Sequence, residues 1–482
     1  MTQCSITQNN KEMNKFKYII VLSSILMLAG CDDFLDRSPI SNANENAFYK
    51  TESDFEVAMT AAYNSLYILY GPESLPSFFG ELMSDNAYND NTAGNVKDYE
   101  AFDTHIGMDP NNTLVLGYWN NYYKSIFIIN NILSKSTGAD FSTKASLQAE
   151  ARFLRALYYF DMTRAWGDVP LVLTPLSVSE SLQQPRTPQT QVYDAIIDDL
   201  LFAAENLPAK SKERFTGAAN ADAANTLLGK VYLTVGNKSE AEKALKKVYG
   251  KFSLVPYADL WDLNKKNGAE SIFEIQYKGG KSNPYSSYWA MFTPLDNRII
   301  TAWGGGMNQV SDDLWNAYEP NDSRRDISIQ NGYTTASGEL VSVKYSIKWK
   351  DENAEVNGLR EAADNNFIIL RYADVLLMLT EATGDAKYMN EVRDRVGLPH
   401  YGASGYPTQY NTVALACEHE RQVEFALEFH RWFDLIRTGR AITVLKNSSK
   451  NVTITENELL LPVPLEVISQ NPTVITQNKA YN

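Results

Sequence analysis

The stretch from Lys144 to Trp166 restricts the fold more than any other part of the chain. Leu147, Ala151, Leu154, Tyr158 and Met162 recur at helical spacing as one apolar stripe, and Phe153, Leu157 and Phe160 form a second. A helix that is apolar on two sides must be covered on both, so it belongs inside a layer of helices. Gly167, followed by Val169-Pro170, stops it. Helical spacing also runs from Ser53 to Tyr70, where Gly71-Pro72 ends it, from about Thr113 to Leu133, from Gln189 to Asn206 and from Ala221 to Val235. Helix after helix with few alternating stretches predicts a mainly α architecture.

Within that architecture, Leu228-Gly229-x-x-Tyr232, then Gly236, Ala241, Leu245 and Val248, fits the tetratricopeptide spacing of two antiparallel helices joined by a tight turn. Weaker versions lie at Lys144 to Trp166 and Tyr372 to Val396, and such repeats need neighbours to bury their faces. The expected fold is a scaffold of tetratricopeptide-like helix pairs with an irregular, loop-rich half around residues 264–350 and a few short strands, such as Ile272 to Tyr277. The segment Asp85 to Asp109, rich in Asn, Asp, Gly and Thr but carrying Tyr88 and Tyr99, reads as a long loop, a kind that usually serves function or is disordered. Over Val413 to Arg437, Arg421, Glu424, Glu428 and Arg431 step at helical spacing and read as exposed ion-pair supports, with Phe425, Phe429, Trp432 and Ile436 on another face. His430 reads as a hydrogen-bonded structural histidine, and Arg152 and Arg155 as partners for carboxylates or carbonyls between helices.

The N-terminal region follows a different pattern. Lys15 and Lys17 precede an apolar run from Tyr18 to Leu28, and Leu28-Ala29-Gly30-Cys31 resembles a bacterial lipobox. The run is too short to span the ~30 Å bilayer core as a helix. Residues 1–30 therefore read as a lipoprotein signal with Met13 as the true start, Cys31 as the lipidated new N-terminus, 31–40 as an acidic tether and 41–482 as one folded body. Processing takes away Cys4 and leaves Cys417 as the single free thiol, so no intrachain disulfide is expected although export favours them. Lys and Arg number 44 against 58 Asp and Glu, a net charge of -14, and the cut removes three lysines and one glutamate. A surface this acidic excludes general phosphate binding, so no nucleic-acid partner is expected.

Between Gly279 and Gly306, Tyr285, Tyr288, Trp289, Phe292 and Trp303 sit among Gly, Ser, Asn and Pro. Most large aromatics pack inward, but rings beside turn residues that stand exposed together mark a binding surface. Flat rings with Asn, Asp and Arg neighbours suit carbohydrate, whose C–H faces stack while its hydroxyls are hydrogen-bonded. A polysaccharide hydrolase is the enzymatic alternative, needing two carboxylates roughly 5–9.5 Å apart. The acidic pairs Asp198-Asp199 and Asp312-Asp313 read instead as solvated charge. There is no His-Glu-x-x-His site, no Gly-x-Ser-x-Gly elbow and no phosphate-binding glycine loop, and acidic neighbours disfavour a thiolate at Cys417. No cofactor is expected; calcium stays open, since no twelve-residue ligand loop is present.

Several stretches together resemble the SusD/RagB family of surface lipoproteins. They are Cys31-Asp32-Asp33-Phe34-Leu35; Glu150-Ala151-Arg152-Phe153-Leu154-Arg155-Ala156 through Trp166-Gly167-Asp168-Val169-Pro170-Leu171; Arg371-Tyr372-Ala373-Asp374-Val375-Leu376-Leu377; and Glu420-Arg421-Gln422-Val423-Glu424-Phe425 through His430-Arg431-Trp432-Phe433-Asp434-Leu435. The tail Leu461-Pro462-Val463-Pro464 is also family-like, whereas Lys479-Ala480-Tyr481 stands where a Pro-Gly-Tyr unit is usual. The resemblance implies a non-catalytic, outer-membrane, cell-surface protein that captures glycan for a SusC-like TonB-dependent transporter, over which it sits as a lid. Peptide or another non-sugar ligand is the alternative cargo. Composition and the family's usual ligand loops point to Tyr88, Tyr288, Trp289 and Trp303 as stacking groups, with Asp85, Asn89 and Arg298 as hydroxyl partners.

Overall fold

The two-striped segment forms a helix over Lys144–Trp166, and nearly every residue from Ala149 to Trp166 is buried. In this computed structural model the described residues are 48–90, 96–295, 304–335, 337–356 and 360–482. Residues 55–482 make one compact unit, and those before Phe55 belong to another. The helices that matter here are α1 (Glu52–Leu69), α2 (Val96–Thr104), α3 (Thr113–Ser136), α4 (Lys144–Trp166), α5 (Gln189–Asn206), α6 (Ala221–Thr234), α7 (Lys238–Lys246), α8 (Tyr372–Thr383), α9 (Lys387–Asp394), α10 (Val413–Glu424) and α11 (Arg431–Arg437). Helix α4 packs between α3 and α5, and the succession continues through α6, α7, α8 and α9, neighbour against neighbour. This is the mainly α scaffold the periodicity predicts.

Polar residues tie the layers where the stripes alone would let them slide. Arg155 on α4 grips Asp199 on α5 with two parallel bonds of 2.8 and 2.9 Å and reaches Asn130 on α3 at 2.8 Å. Asp199 is thus a buried partner, not solvated charge. At the α6–α7 pair, Gly229 is required by close approach: a Cβ there would lie 2.5 Å from the Leu245 side chain. Gly236 makes the connecting turn at a φ of 80°.

Six short strands complete the described structure: β1 (Ala87–Tyr88), β2 (Ser271–Ile275), β3 (Gln309–Val310), β4 (Ile329–Thr334), β5 (Leu340–Ser346) and β6 (Phe367–Arg371). They pair antiparallel as β1–β3, β2–β6 and β4–β5. Strands β2 and β6 are buried on both faces, so the alternation that suggests a half-exposed strand at Ile272 reflects no solvent side. The Asp85 to Asp109 segment is not one long loop; it supplies β1 and α2.

The Val413 to Arg437 region differs most from its sequence reading. It breaks at Phe425–His430, where Leu427 and Phe429 take positive φ of 63° and 67°. The buried Glu81 carboxylate accepts the N–H groups of both, at 3.1 and 3.0 Å, and Gly80 lets the Phe429 carbonyl lie where a Cβ would stand 2.5 Å away. Arg421, Glu424, Glu428 and Arg431 are all buried, not surface supports. Arg421 pairs with Asp374 and Asp434 and Arg431 with Asp85, while Glu424 and Glu428 belong to a continuous ionic network. Arg324 bridges Asp322, Glu420 and Glu424 at 2.7, 2.6 and 2.9 Å. Arg371 bridges Glu270, Glu424 and Glu428 at 2.8, 2.5 and 2.9 Å. Arg393 joins Glu319 to Glu420, Arg395 pairs with Glu424, and Lys348 pairs with Glu428. Burial acts to raise the Glu424 carboxyl, but Arg395, Arg371 and Arg324 hold it well below the usual carboxylate range.

Candidate functional site

Strand β1 carries the site. Its pairing with β3 sets Tyr88 opposite Gln309, and the Asp90 N–H continues the contact to the Gly306 carbonyl at 2.9 Å. The alternation of a strand turns Ala87 into the core and leaves the Tyr88 ring half-buried at the wall of an open cleft of about 780 Å³. Asp103, Thr104 and Ile106 form another wall, Ser311, Asp312, Ser342 and Lys344 a third, and residues 449–453 close the end. His105, at a φ of 58°, makes the sharp bend after α2; its Nε2 lies 2.8 Å from the Met83 carbonyl and its ring rests against Trp432. Burial, then the charge of Lys450, pushes the imidazole down to about 4, so it stays neutral and donates to Met83 at neutral pH. The bend leaves Ile106 75% exposed at the cleft.

The cleft's charges are matched within the protein. Lys450 pairs with Asp103 at 2.8 Å and donates to the Leu82 carbonyl at 2.5 Å, while Asp103 also accepts the Asn89 N–H at 2.9 Å. Lys344 pairs with Asp312 at 2.6 Å, and Asp313 accepts the Ser449 N–H at 2.7 Å. Burial raises the Tyr88 phenol, and Asp90, Asp312 and Asp103 add to the shift, so it remains a neutral hydroxyl. The arrangement offers one aromatic edge, the apolar side chains of Ile106, Val310, Val343 and Val452, and a set of neutral hydroxyls and amides. Such a surface is suited to stacking and hydrogen bonding.

Of the residues expected at a site, Tyr88 lines the cleft and Asn89 adjoins it. Asp85 does not serve as a hydroxyl partner: it is buried, held by Arg431 through bonds of 2.8 and 2.9 Å, with Gln422 at 3.2 Å. Tyr288 and Trp289 are not stacking platforms either. They form a one-turn helix, Tyr288–Phe292, and are 0% and 1% exposed. Tyr288 packs on Trp349 and Phe367 at centroid distances of 5.1 and 5.3 Å, a burial worth roughly 1.5–3 kcal/mol for a large side chain. Arg298, Trp303 and Cys31 lie outside the described residues.

Sequence reasoning missed Ile106, Asp312, Lys344 and Lys450. A lone apolar residue between His105 and Gly107 in a polar stretch is the one local signal that pointed to Ile106; the others are assembled from distant segments. Glu319, His419 and Glu420 lie close enough to hold a metal ion. Both carboxylates are already engaged, Glu319 and Glu420 by Arg393 and Glu420 also by Arg324, and the His419 Nε2 sits 2.7 Å from the Ala317 carbonyl. The cluster reads as part of the ionic core. Cys417 is buried with its Sγ 3.3 Å from the Leu377 carbonyl, and burial pushes its thiol up, which makes it inert.

Comparison with known proteins agrees with this architecture over most of the chain. The family described as "Starch-binding associating with outer membrane" matches residues 33–233, and the SusD family matches residues 330–481. The chain belongs to the SusD/RagB family. SusD-like protein P2 of Formosa agariphila is 26% identical, covering 97% of this chain and 100% of that protein. A SusD-like protein of Bacteroides ovatus is 26% identical over 88% of this chain and 82% of its own length. Among solved structures, a laminarin binding SusD-like protein superposes with a TM-score of 0.78 at 27% identity, covering 90% of this chain and 100% of that one. A SusD superfamily protein of Parabacteroides distasonis has a TM-score of 0.74 at 25% identity, again covering 90% of this chain and 100% of the other. No helix among the described residues is long and apolar enough to cross a membrane.

Proposed function

We propose that this chain is a surface lipoprotein, anchored through Cys31, that captures a glycan in the Tyr88 cleft without altering it and passes it to a SusC-like TonB-dependent transporter. The cleft carries the reading: about 780 Å³ of open volume walled by a half-buried tyrosine, an exposed isoleucine and neutral hydroxyls. An open cleft of this volume suits a site that must release its cargo. Asp103 and Asp312, the carboxylates that line it, are each paired with a lysine and so do not stand as an acid and a nucleophile flanking an open bond. A family whose description reads "Starch-binding associating with outer membrane" supports glycan over peptide as cargo and supports the membrane placement.

The neutral β-glucan laminarin is the first probe, because a structural relative is described as binding it. Titration of the mature chain against a polysaccharide panel, with peptides as controls, selects the ligand. With that ligand, Tyr88→Ala is expected to weaken binding roughly tenfold, the ~1.4 kcal/mol that one stacked ring readily supplies. Full affinity in the variant removes the cleft from the account. Shortened products accumulating in the binding mixture would overturn the non-catalytic reading.

A further inference from the structure

Among the described residues, four charged side chains line the Tyr88 cleft: Asp103, Asp312, Lys344 and Lys450. Their signs cancel, but their exposures do not. The Lys450 side chain is 8% exposed, and its ammonium donates to the Leu82 carbonyl at 2.5 Å, the Asp103 carbonyl at 3.1 Å and the Asp103 carboxylate at 2.8 Å. An ammonium has three N–H groups, so Lys450 has none left for a ligand.

Lys344 differs. It stands on β5 opposite Asn331 on β4, with its ammonium 5.8 Å over the Trp315 ring. Among the described residues its hydrogen-bonding partner is the Asp312 carboxylate at 2.6 Å, which leaves two of its three N–H groups open. Asp312 begins the short helix Asp312–Ala317. The cap of that helix, Ser311, accepts the Leu314 N–H at 3.1 Å and donates to the Asp85 carbonyl at 2.5 Å, so the Asp312 backbone is fixed in place.

The cation in this cleft with donors to spare is therefore already paired with a carboxylate of the chain itself. The Asp312 side chain is 70% exposed against 21% for Lys344, and a ligand entering from solvent meets the carboxylate before the ammonium behind it. Asp90, Asp312 and Asp103 all act on the Tyr88 phenol, and the chain's net charge of -14 has the same sign. An anionic sugar unit is repelled here, or must displace Asp312 to reach Lys344. A neutral unit meets no such cost, because its hydroxyls accept from the open Lys344 N–H groups and donate to Asp312.

Resting on the glycan-capture reading above, we propose that the Lys344–Asp312 pair is the charge filter of the Tyr88 cleft: it hydrogen-bonds neutral sugar units and rejects units that carry a carboxylate. Isothermal titration of the mature chain tests it with laminarin and with laminarin oxidised at C6 to glucuronate units, two ligands that share a backbone and differ in charge. Wild type should bind the oxidised form roughly tenfold more weakly. That gap should narrow as salt shortens the Debye length from about 30 Å at 0.01 M to about 8 Å at 0.15 M. Asp312→Asn should reverse the preference, and adding Lys344→Gln to it should bring the two ligands level, since the reversal comes from the freed ammonium. If Asp312 were merely structural, its substitution would weaken both ligands together and leave their ratio unchanged, which overturns the proposal. So does a wild type that binds both forms equally, or binding of neither form by wild type and by Asp312→Asn. Laminarin binding that Tyr88→Ala abolishes, with no charge preference in wild type, removes the filter and keeps capture in the cleft. Laminarin binding that survives Tyr88→Ala in full removes both.

Discussion

Glu424→Ala is expected to destabilise the fold by about 3–5 kcal/mol, the cost of removing one member of a buried ion-pair cluster. Glu424 is the shared acceptor for Arg324, Arg371 and Arg395, so its loss takes one carboxylate from three buried guanidinium groups at once, leaving Asp322, Glu420, Glu270 and Glu428 to hold them. All three lie at the junction of the 322–328 segment, β6 and the residues following α9. Against the roughly 5–15 kcal/mol that holds a typical domain together, this is a large fraction. Denaturant midpoints for wild type and variant measure it. The control is Glu352→Ala, which breaks the exposed pair with Lys350 and should change little. If the two substitutions have equal effects, the charges do not form the structural core described here.

The second large effect depends on pH. Burial raises the Glu81 carboxyl to about 7 from its ordinary 4.5, against the pull of bonds from Asn86, Leu427 and Phe429. A carboxyl whose folded pKa lies above its unfolded value favours the native state fully below about 4.5, and that contribution is lost as pH rises through 7. The difference amounts to roughly 3 kcal/mol. Glu81→Gln removes this dependence and keeps the shape. Stability curves of wild type and Glu81→Gln should therefore diverge by that amount between pH 8 and pH 4.5, with the wild type gaining toward acid relative to the variant. A gap that stays constant with pH would contradict the assignment. His105 has the opposite sign: its pKa, lowered from 6.5 to about 4, adds stability above 6.5 that is lost as pH falls through 4. The comparison between variants is needed because these slopes offset each other in the wild type.

Helix limits were legible where the signal is local. Gln189–Asn206 and Lys144–Trp166 coincide with their apolar spacing, and Gly229 marks a close helix pair as its position suggests. The charged helix faces were not legible. Arg431 and Asp85 are separated by 346 positions and Arg371 and Glu428 by 57, and a stepped row of charges looks the same whether water or a distant carboxylate faces it. The same holds for the aromatic loop. Tyr288 and Trp289 sit among turn residues, yet the rings that cover Tyr288 arrive from Trp349, Phe367 and Phe429. Tyr88 stands out in the sequence because a tyrosine in a polar segment is locally conspicuous; Asp312, Lys344 and Lys450, which line the same cleft, come from segments that only the tertiary fold unites.

The central claim is that cargo rests in the cleft beside Tyr88. A crystal structure of the mature chain with a bound oligosaccharide from the panel tests it most directly. The account predicts sugar density against the Tyr88 ring and between Ile106 and Lys344, with Tyr288 and Trp289 still enclosed. An oligosaccharide bound only at another face, with the Tyr88 cleft empty, would contradict it.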